Sequence, residues 1–330
     1  MEVSVVIPTR NRTEMLLAAV RSALSQAMPP AEVIVVIDGP ETARTAPSCS
    51  PGCGTAAALR GLEDGRVRIL ELPEAVGGAE ARNYGVRAAT SAWIAFLDDD
   101  DLWLPEKLAV QMEIAALFRE DADVVLSCRV IARSPTGEEI WPRRIYAPSQ
   151  TMGEYLFCRQ GLRYGDALLQ TSTLVAPRRL LMREPFRKGL KKHQDWDWLI
   201  RVAEKGSARV ISCGEAPLVV FHIEGNRWSV GRTPDWIFSL GWARAMAQDG
   251  YLSDRAMSGF VATECAPQLG AEGSWKKLVF FATMLRSGQV LRQDWVRLMV
   301  FLWMPMRLRR WMRQGFLAAQ SGFRSRFADN

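Results

Sequence analysis

Short Val- and Ile-rich runs alternate with segments of helical period through the first 131 residues, and no other feature of the chain constrains its fold as much. The runs at 3–7, 33–37, 67–72, 93–97 and 124–131 have the length and β-branched content of buried strands. Between them, 14–26 places Leu16, Leu17, Val20 and Leu24 on one helical face, and 79–89 is helical. Pro105 opens a further helix that continues over 107–119. Strands alternating with helices predict an α/β class with a mostly parallel sheet covered on both faces. In such sheets ligands sit beyond the carboxyl ends of the strands.

The polar residues are at those ends. Pro8-Thr9-Arg10-Asn11-Arg12 follows the first strand, Asp38-Gly39-Pro40 the second, and Asp98-Asp99-Asp100-Asp101 the fourth. Four adjacent carboxylates repel one another, and a solvated run is their simplest account. This run, however, terminates the apolar stretch Ile94-Ala95-Phe96-Leu97. A hard divalent cation, Mg²⁺ or Mn²⁺, would neutralise it while bridging one or two carboxylates to a substrate diphosphate. Backbone alternation puts Asp98 and Asp100 on the same side, so one can hold the metal and the other the nucleotide. A second polar cluster, His193-Gln194-Asp195-Trp196-Asp197-Trp198, precedes an apolar helical pattern. Asp195 reads there either as an N-cap ahead of 196–204 or as a carboxylate facing a cleft.

Taken together and in order, these motifs resemble the family 2 glycosyltransferases, which have the GT-A fold. VVIPTRNR resembles the turn after the family's first strand, and EVIVVIDGP its second strand. GGAEARNYGVRAATSAWIAFLDDDDLWLPEKL is similar to its G-x-x-x-ARN-x-G helix followed by the acidic D-x-D motif, and HQDWDWLIRVAEKG to its acidic helix. The resemblance covers about residues 1–225. It implies that Pro8, Thr9, Arg10 and Asn11 line the donor nucleotide, that Asp38 reaches the base, and that Arg82 and Asn83 serve the donor, Arg82 meeting the diphosphate. Ile37 stands where the family usually has an acid. Asp98 and Asp100 take the metal-binding D-x-D positions, with Asp99 between them beside the nucleotide. Asp195 takes the position of the general base, and Gln194 replaces the usual Glu before it. Asp197 supports the first helical turn, and Trp196 or Trp198 offers a flat surface to an acceptor sugar. His222, at the end of an apolar run, reads as structural, with a metal or phosphate contact or a place on the acceptor side as its functional alternative.

The implied activity is metal-dependent, inverting transfer of a sugar from a nucleoside-diphosphate sugar to the hydroxyl of a saccharide or lipid-linked acceptor, in polysaccharide or glycolipid assembly. Two alternatives stand beside it: a nucleotidyltransferase, and a nucleotide-sugar-binding or scaffold protein that has lost catalysis. PTRNR lacks the glycines the first would want. The kept Asp195 argues against the second.

The chain has 330 residues, 48% of them hydrophobic and 24% charged, enough to bury a sizeable core. Strand-like runs stop near residue 230, which divides the expected catalytic domain (1–230, with a nucleotide-sugar half at about 1–120 and an acceptor half at 121–230) from a helical extension (231–330). The boundary falls at 231–234. Charge is unevenly spread: from Trp275 onward eleven Lys and Arg face two acids, a net +9, leaving −3 on the remainder. The apolar run 296–304, set among Trp295, Trp303 and Trp311 with arginines following, suits a helix lying in lipid headgroups. A packed helical appendage with a solvated basic face is the other reading of 275–330. No nucleic-acid recognition motif accompanies the charge. Cys49 and Cys53 are separated by three residues in a Pro/Gly/Ser loop, without the further ligands a zinc knuckle needs. Glu224-Gly225-Asn226-Arg227-Trp228 superficially resembles a processive-synthase Q-x-x-R-W motif but lacks the Gln, so processivity is not expected. The start of the chain lacks the pattern of a signal peptide and no stretch is long enough to span a bilayer, which points to the cytoplasm or the cytoplasmic face of a membrane.

Overall fold

The computed structural model describes residues 1–40, 54–119, 121–135, 137–161, 165–223, 235–268 and 289–303. Cys49 and Cys53, the 224–228 segment, the expected boundary at 231–234 and most of the basic tail lie outside the described residues.

The chain separates into two compact units, Met1–Leu156 with Arg163–Thr233, and Phe157–Leu162 with Pro234–Asn330. The first opens with β1 (Val3–Thr9), α1 (Thr13–Leu24), β2 (Glu32–Ile37), α2 (Thr55–Arg60), β3 (Val67–Glu71), α3 (Gly78–Ala88) and β4 (Trp93–Phe96). There follow β5 (Leu102–Trp103), α4 (Lys107–Ala115), β6 (Val124–Ser134), β7 (Gly137–Trp141), α5 (Met152–Phe157) and β8 (Val175–Pro177). The unit closes with α6 (Arg178–Arg183), α7 (Gln194–Glu204) and β9 (Arg209–His222). The five expected strands and the three expected helices are all present. Helix α4 stops at Ala115, where the backbone tightens into i→i+3 bonds from Leu117 to Ile114 and from Phe118 to Ala115.

Among the described residues nine strands form one sheet in the order β3-β2-β1-β4-β8-β6-β9-β5, with β7 paired to β6. Strands β3, β2, β1 and β4 are parallel, and β8 then inserts antiparallel between β4 and β6. Strand β9 runs parallel to β6 with a register shift near Arg129, and β5 pairs antiparallel with β9. This is the α/β sheet the alternation predicts, mixed where β8 and β5 enter. β1 and β2 are buried throughout most of their length, with Val5, Val6, Ile7, Val33, Ile34, Val35 and Val36 fully enclosed. A covered parallel sheet demands that continuous apolar pattern.

Helix α3 is drawn hard onto β1. A Cβ built at Gly85 would lie 2.3 Å from Val6 Cγ1, so glycine is what permits the approach. The approach matters because α3 carries Arg82 toward the end of β4.

The second unit contains α8 (Trp236–Gln248), α9 (Asp254–Phe260), a π-helical turn at Val261–Cys265 and α10 (Arg292–Trp303). The ring of Phe157 meets Phe260 and Trp242 edge-on, with centroids 4.9 and 6.4 Å away. Arg159 pairs with Glu264 at 2.6 Å, and Arg297 of α10 donates to the carbonyls of Arg159 and Gly161. These bonds explain why a segment from the middle of the chain packs with its C-terminal part. Fully buried Asp294 is held by Arg255 at 2.6 Å and Arg297 at 3.1 Å.

Candidate active site

Parallel strands β1, β2 and β4 deliver their following residues to one edge of the sheet, and the acidic turn after β4 lies there. Leu97 N–H still bonds to Val6 O at 3.1 Å, after which the chain turns and Asp101 N–H donates to Asp98 O at 3.2 Å. A second segment pins this turn. Ser172, in a short 3-10 turn at Thr171–Thr173, accepts the Asp98 N–H at 3.0 Å and donates its hydroxyl to Asp101 at 2.6 Å. Gln170 donates to the same Asp101 oxygen, and Trp103 Nε1 donates to Ser172 O at 2.9 Å.

The four carboxylates divide by strand-like alternation. Asp98 and Asp100 point outward, each with a side chain 27% exposed. Asp99 and Asp101 are buried. Burial raises Asp99 to about 6 against the pull of Arg12 and of the Thr9 hydroxyl. Asp101 lies well above the usual carboxylate range because it is desolvated and stands beside Asp98 and Asp100. Thr9 Oγ1 donates to Asp99 at 2.7 Å, and Arg12 Nη1 forks between Asp99 at 3.0 Å and Asp100 at 2.9 Å. The backbone between them turns through Asn11 at φ +57°, a left-handed conformation that asparagine tolerates. The Thr9 hydroxyl and the Asp99 carboxylate, both expected to touch the donor, are instead engaged with each other inside the protein. Pro8 and Asn11 are half-buried and Arg10 is exposed.

Arg82 links the acidic turn to α7. Its Nη2 bonds to Asp98 Oδ1 at 2.5 Å, its Nη1 bonds to Gln194 Oε1 at 2.9 Å, and its guanidinium lies 5.9 Å from the centre of the Phe186 ring. Gln194 therefore does by dipole what a glutamate would do by charge, and its own amide donates to Leu190 O at 2.7 Å. Gly78 leaves room for this meeting, since a Cβ there would come within 3.1 Å of Gln194 Oε1 and 3.2 Å of Arg82 Nη1.

Asp195 sits one residue further along, in the first turn of α7. The cap residue is His193, at φ +63°, so the N-cap reading of Asp195 is corrected by one turn geometry: its side chain accepts the adjacent Trp196 N–H at 2.9 Å from inside the helix. Asp195 is half-buried. Desolvation raises its carboxyl to about 6, with Asp98 adding to the rise and Arg82 opposing it. A carboxylate poised there is charged at neutral pH yet basic enough to take a proton.

The other expected residues make the following contacts within the protein. Asp38 accepts the backbone N–H groups of Val76 at 2.6 Å and Gly77 at 3.0 Å, closing the loop before α3 against the end of β2. Beside it a cavity of about 450 Å³ is walled by Ile37, Gly39, Thr55, Glu71, Leu72 and Pro73. Asn83 donates to Phe186 O at 2.9 Å and accepts the Phe186 N–H at 3.1 Å, so it positions that loop, and its Nδ2 also donates to Glu80 at 3.0 Å. Trp198 is fully buried, stacks on Phe186 at 5.4 Å and donates to Glu184 O at 2.6 Å. It offers no face to a sugar, because the neighbouring ring already covers it. Half-buried Trp196 is stacked on His193 at 5.0 Å. Asp197 is fully buried and bonded to Arg201 Nε at 2.8 Å, the supporting role expected of it. His222 Nδ1 lies 3.0 Å from Asp100 O, which brings the imidazole to the acidic turn.

Among the described residues no group of three or more His, Cys, Asp and Glu is arranged to hold a metal ion. What the site offers is two outward carboxylates, Asp98 and Asp100. That donor set fits Mg²⁺ or Mn²⁺, which bind through one or two carboxylates and complete their shell with water and substrate phosphate. Gln170 and Ser172 are missed in the sequence, and Arg12, the last residue of the PTRNR turn, is given no role there although its charge beside four acids was a usable signal. Nothing in the sequence ties Gln170 or Ser172 to a turn some 70 positions earlier.

Residues 4–190 match the family model described as Glycosyl transferase family 2. Over 246 residues the chain is 26% identical to the amylovoran biosynthesis glycosyltransferase AmsB of Erwinia amylovora, covering 74% of this chain and 77% of that protein. It is 30% identical over 112 residues to the UDP-Glc:alpha-D-GlcNAc-diphosphoundecaprenol beta-1,3-glucosyltransferase WfgD of Escherichia coli, covering 34% of this chain and 40% of that one. Among solved structures, S. aureus TarS 1-349 in complex with UDP-GlcNAc superposes with a TM-score of 0.55 at 17% identity, covering 87% of this chain and 79% of that chain. At that identity the likeness shows the fold, a GT-A-like sheet, and the fold alone.

Proposed function

The chain belongs to glycosyl transferase family 2 and is a glycosyltransferase that uses a nucleotide sugar; on that premise we propose that it transfers the sugar with inversion, using Asp195 as the general base. The carrying observation is the link from Asp195 to the acidic turn: Asp195 adjoins Gln194, which holds Arg82, which holds Asp98. In this reading the donor diphosphate lies at Asp98 and Asp100 and the acceptor hydroxyl at Asp195, on two sides of one guanidinium. Asp195 accepts the acceptor's proton as its oxygen attacks the anomeric carbon in line with the departing diphosphate. Arg82 orients Asp98, and Arg12 offsets the charge of Asp99 and Asp100. Mg²⁺ or Mn²⁺ held by Asp98 and Asp100 would supply Lewis-acid stabilisation of the leaving diphosphate. The names of AmsB and WfgD support an acceptor in bacterial polysaccharide or glycolipid assembly, either a saccharide or a lipid-linked sugar.

The test is a screen of nucleotide sugars for release of free nucleoside diphosphate, with and without Mn²⁺, using the wild type and Asp100→Asn. Metal-stimulated release lost in Asp100→Asn is the expected result. Binding without release would favour a nucleotide-sugar-binding protein, and release of pyrophosphate from a nucleoside triphosphate a nucleotidyltransferase. Either sinks the proposal.

The same proposal gives the tail a membrane surface. Among the described residues no helix is long and apolar enough to cross a membrane. Helix α10 leaves Val296 and Met299 about half exposed, on a stretch of chain with a net charge of +9 from Trp275 onward. Apolar contact plus attraction of about 1 kcal/mol per basic residue near an anionic surface supports reversible attachment that salt weakens. Co-sedimentation with anionic vesicles should fall on truncation before Trp275; equal, negligible pelleting of both proteins at low salt rejects it.

A further inference from the structure

Immediately before Asp195 the chain reads Arg187-Lys188-Gly189-Leu190-Lys191-Lys192-His193, with no acid between Glu184 and Asp195. Part of this run walls a cavity of about 350 Å³, whose other charged residues are Glu80 and Arg87 of α3 and Arg201 of α7. Phe186 belongs to the same wall and also carries the Arg82 guanidinium over its ring, so the cavity adjoins the group that joins donor and base.

The cations in this wall differ in how far the protein already uses them. Arg201 gives Nε to Asp197 and Nη2 to Pro185 O, both at 2.8 Å, and Arg87 gives Nη2 to Glu80 at 2.9 Å. Arg187 makes a single long ion pair, 3.6 Å to Asp197, and no hydrogen bond among the described residues. Lys188 is exposed and has neither an ion pair nor a hydrogen bond among them, though it lies near enough to Glu80 to help lower that carboxyl's pKa. A planar guanidinium fork and an ammonium with their donors unclaimed, facing a cavity, match the geometry of an oxyanion.

We propose that this cavity binds an oxyanion carried by the acceptor, a phosphate-type group or a carboxylate, held by Arg187 and Lys188. The proposal rests on the glycosyltransferase reading and adds to it the chemical class of the acceptor. In this proposal the anchored anion selects which hydroxyl the acceptor presents to Asp195. A phosphate source would be a sugar carried on a lipid diphosphate; a carboxylate source would be a uronic acid.

The experiment is calorimetry on the full chain, first saturated with UDP and Mn²⁺ so that the donor site is occupied. Inorganic pyrophosphate and glucuronate are then titrated separately into the wild type, Arg187→Glu/Lys188→Glu, and Arg187→Lys/Lys188→Arg. One of the two anions should bind the wild type, weaken by about tenfold or more in the charge-reversed protein, and recover in the charge-preserving one. Pyrophosphate alone points to a phosphate-bearing acceptor and glucuronate alone to an acidic saccharide. Absence of binding by both, or equal binding to all three proteins, overturns the proposal and leaves the basic run a solvated surface. The preceding UDP titration keeps the two readings apart. Failure of UDP to bind tells against the donor site, whereas normal UDP binding without anion binding tells against this inference alone. Unchanged UDP affinity in the variants also reports that they are folded.

Discussion

The turn after β4 and the first turn of α7 hold the same kind of residue and use it in opposite ways. In the turn after β4, burial and exposure alternate along four consecutive aspartates, and the outward pair, Asp98 and Asp100, reaches solvent while bonded to Arg82 and Arg12. In α7 the two acids are two positions apart on a helix, which puts them on different faces. Asp195 is left with one backbone N–H and a raised pKa, while Asp197 is sealed inside against Arg201. Within α7 the base role is proposed for the carboxylate with no ion pair among the described residues and the structural role for the one paired with Arg201. In the acidic turn, by contrast, the outward pair is ion-paired and the buried Asp101 is held by hydrogen bonds from Ser172 and Gln170. A count of acids in either motif does not make that distinction.

The strongest challenge to this contrast is Asp195→Asn. Turnover should fall by roughly 10²–10⁴-fold, the usual worth of a positioned base, with UDP affinity nearly unchanged. The pH profile sharpens it. Because the folded carboxyl is raised to about 6, Asp195 is charged and able to accept a proton above that value. The wild-type kcat/KM should therefore lose tenfold per pH unit below it. Asp99 titrates at about 6 as well, so any acid limb that survives in Asp195→Asn belongs to Asp99 and its pair with Arg12. Wild-type activity that is level through this window would remove Asp195 as the base.

Asp197→Ala tests the other half of the comparison. Removing one partner of a buried pair leaves Arg201 with only the longer ion pair to Glu184 at 3.6 Å, and a loss of about 3–5 kcal/mol of stability is expected by denaturant unfolding. Activity per folded molecule should survive. A loss below about 1 kcal/mol would mean that Asp197 is not the structural member of the two.

The smallest effect is expected from Asp101→Asn. Burial and the neighbouring Asp98 and Asp100 push the Asp101 pKa well above the usual carboxylate range, which disfavours its charged form, and an asparagine oxygen can accept from Ser172 and Gln170 in its place. Thermal unfolding should report a change within about 1 kcal/mol. A larger loss would mean that Asp101 carries charge in the folded protein and that the acidic turn is held by electrostatics rather than by hydrogen bonds.

Local pattern determined much of this protein. Continuous apolar runs of strand length, the helical spacing between them and the polar residues at strand ends were legible in the sequence because period and turn chemistry act between residues close in the chain. That was enough to place β1 to β4, α3 and the Asp98–Asp101 turn, and to bring Asp195 forward as a candidate. Tertiary structure alone decided which aspartates are buried, because burial depends on partners such as Ser172 and Gln170 brought in by the antiparallel insertion of β8. It also decided that Trp198 is covered by Phe186 and that Gln194 completes a bond to Arg82 from 112 positions away. Desolvation and counter-charge set the chemistry of a carboxylate, and both are properties of neighbours in space.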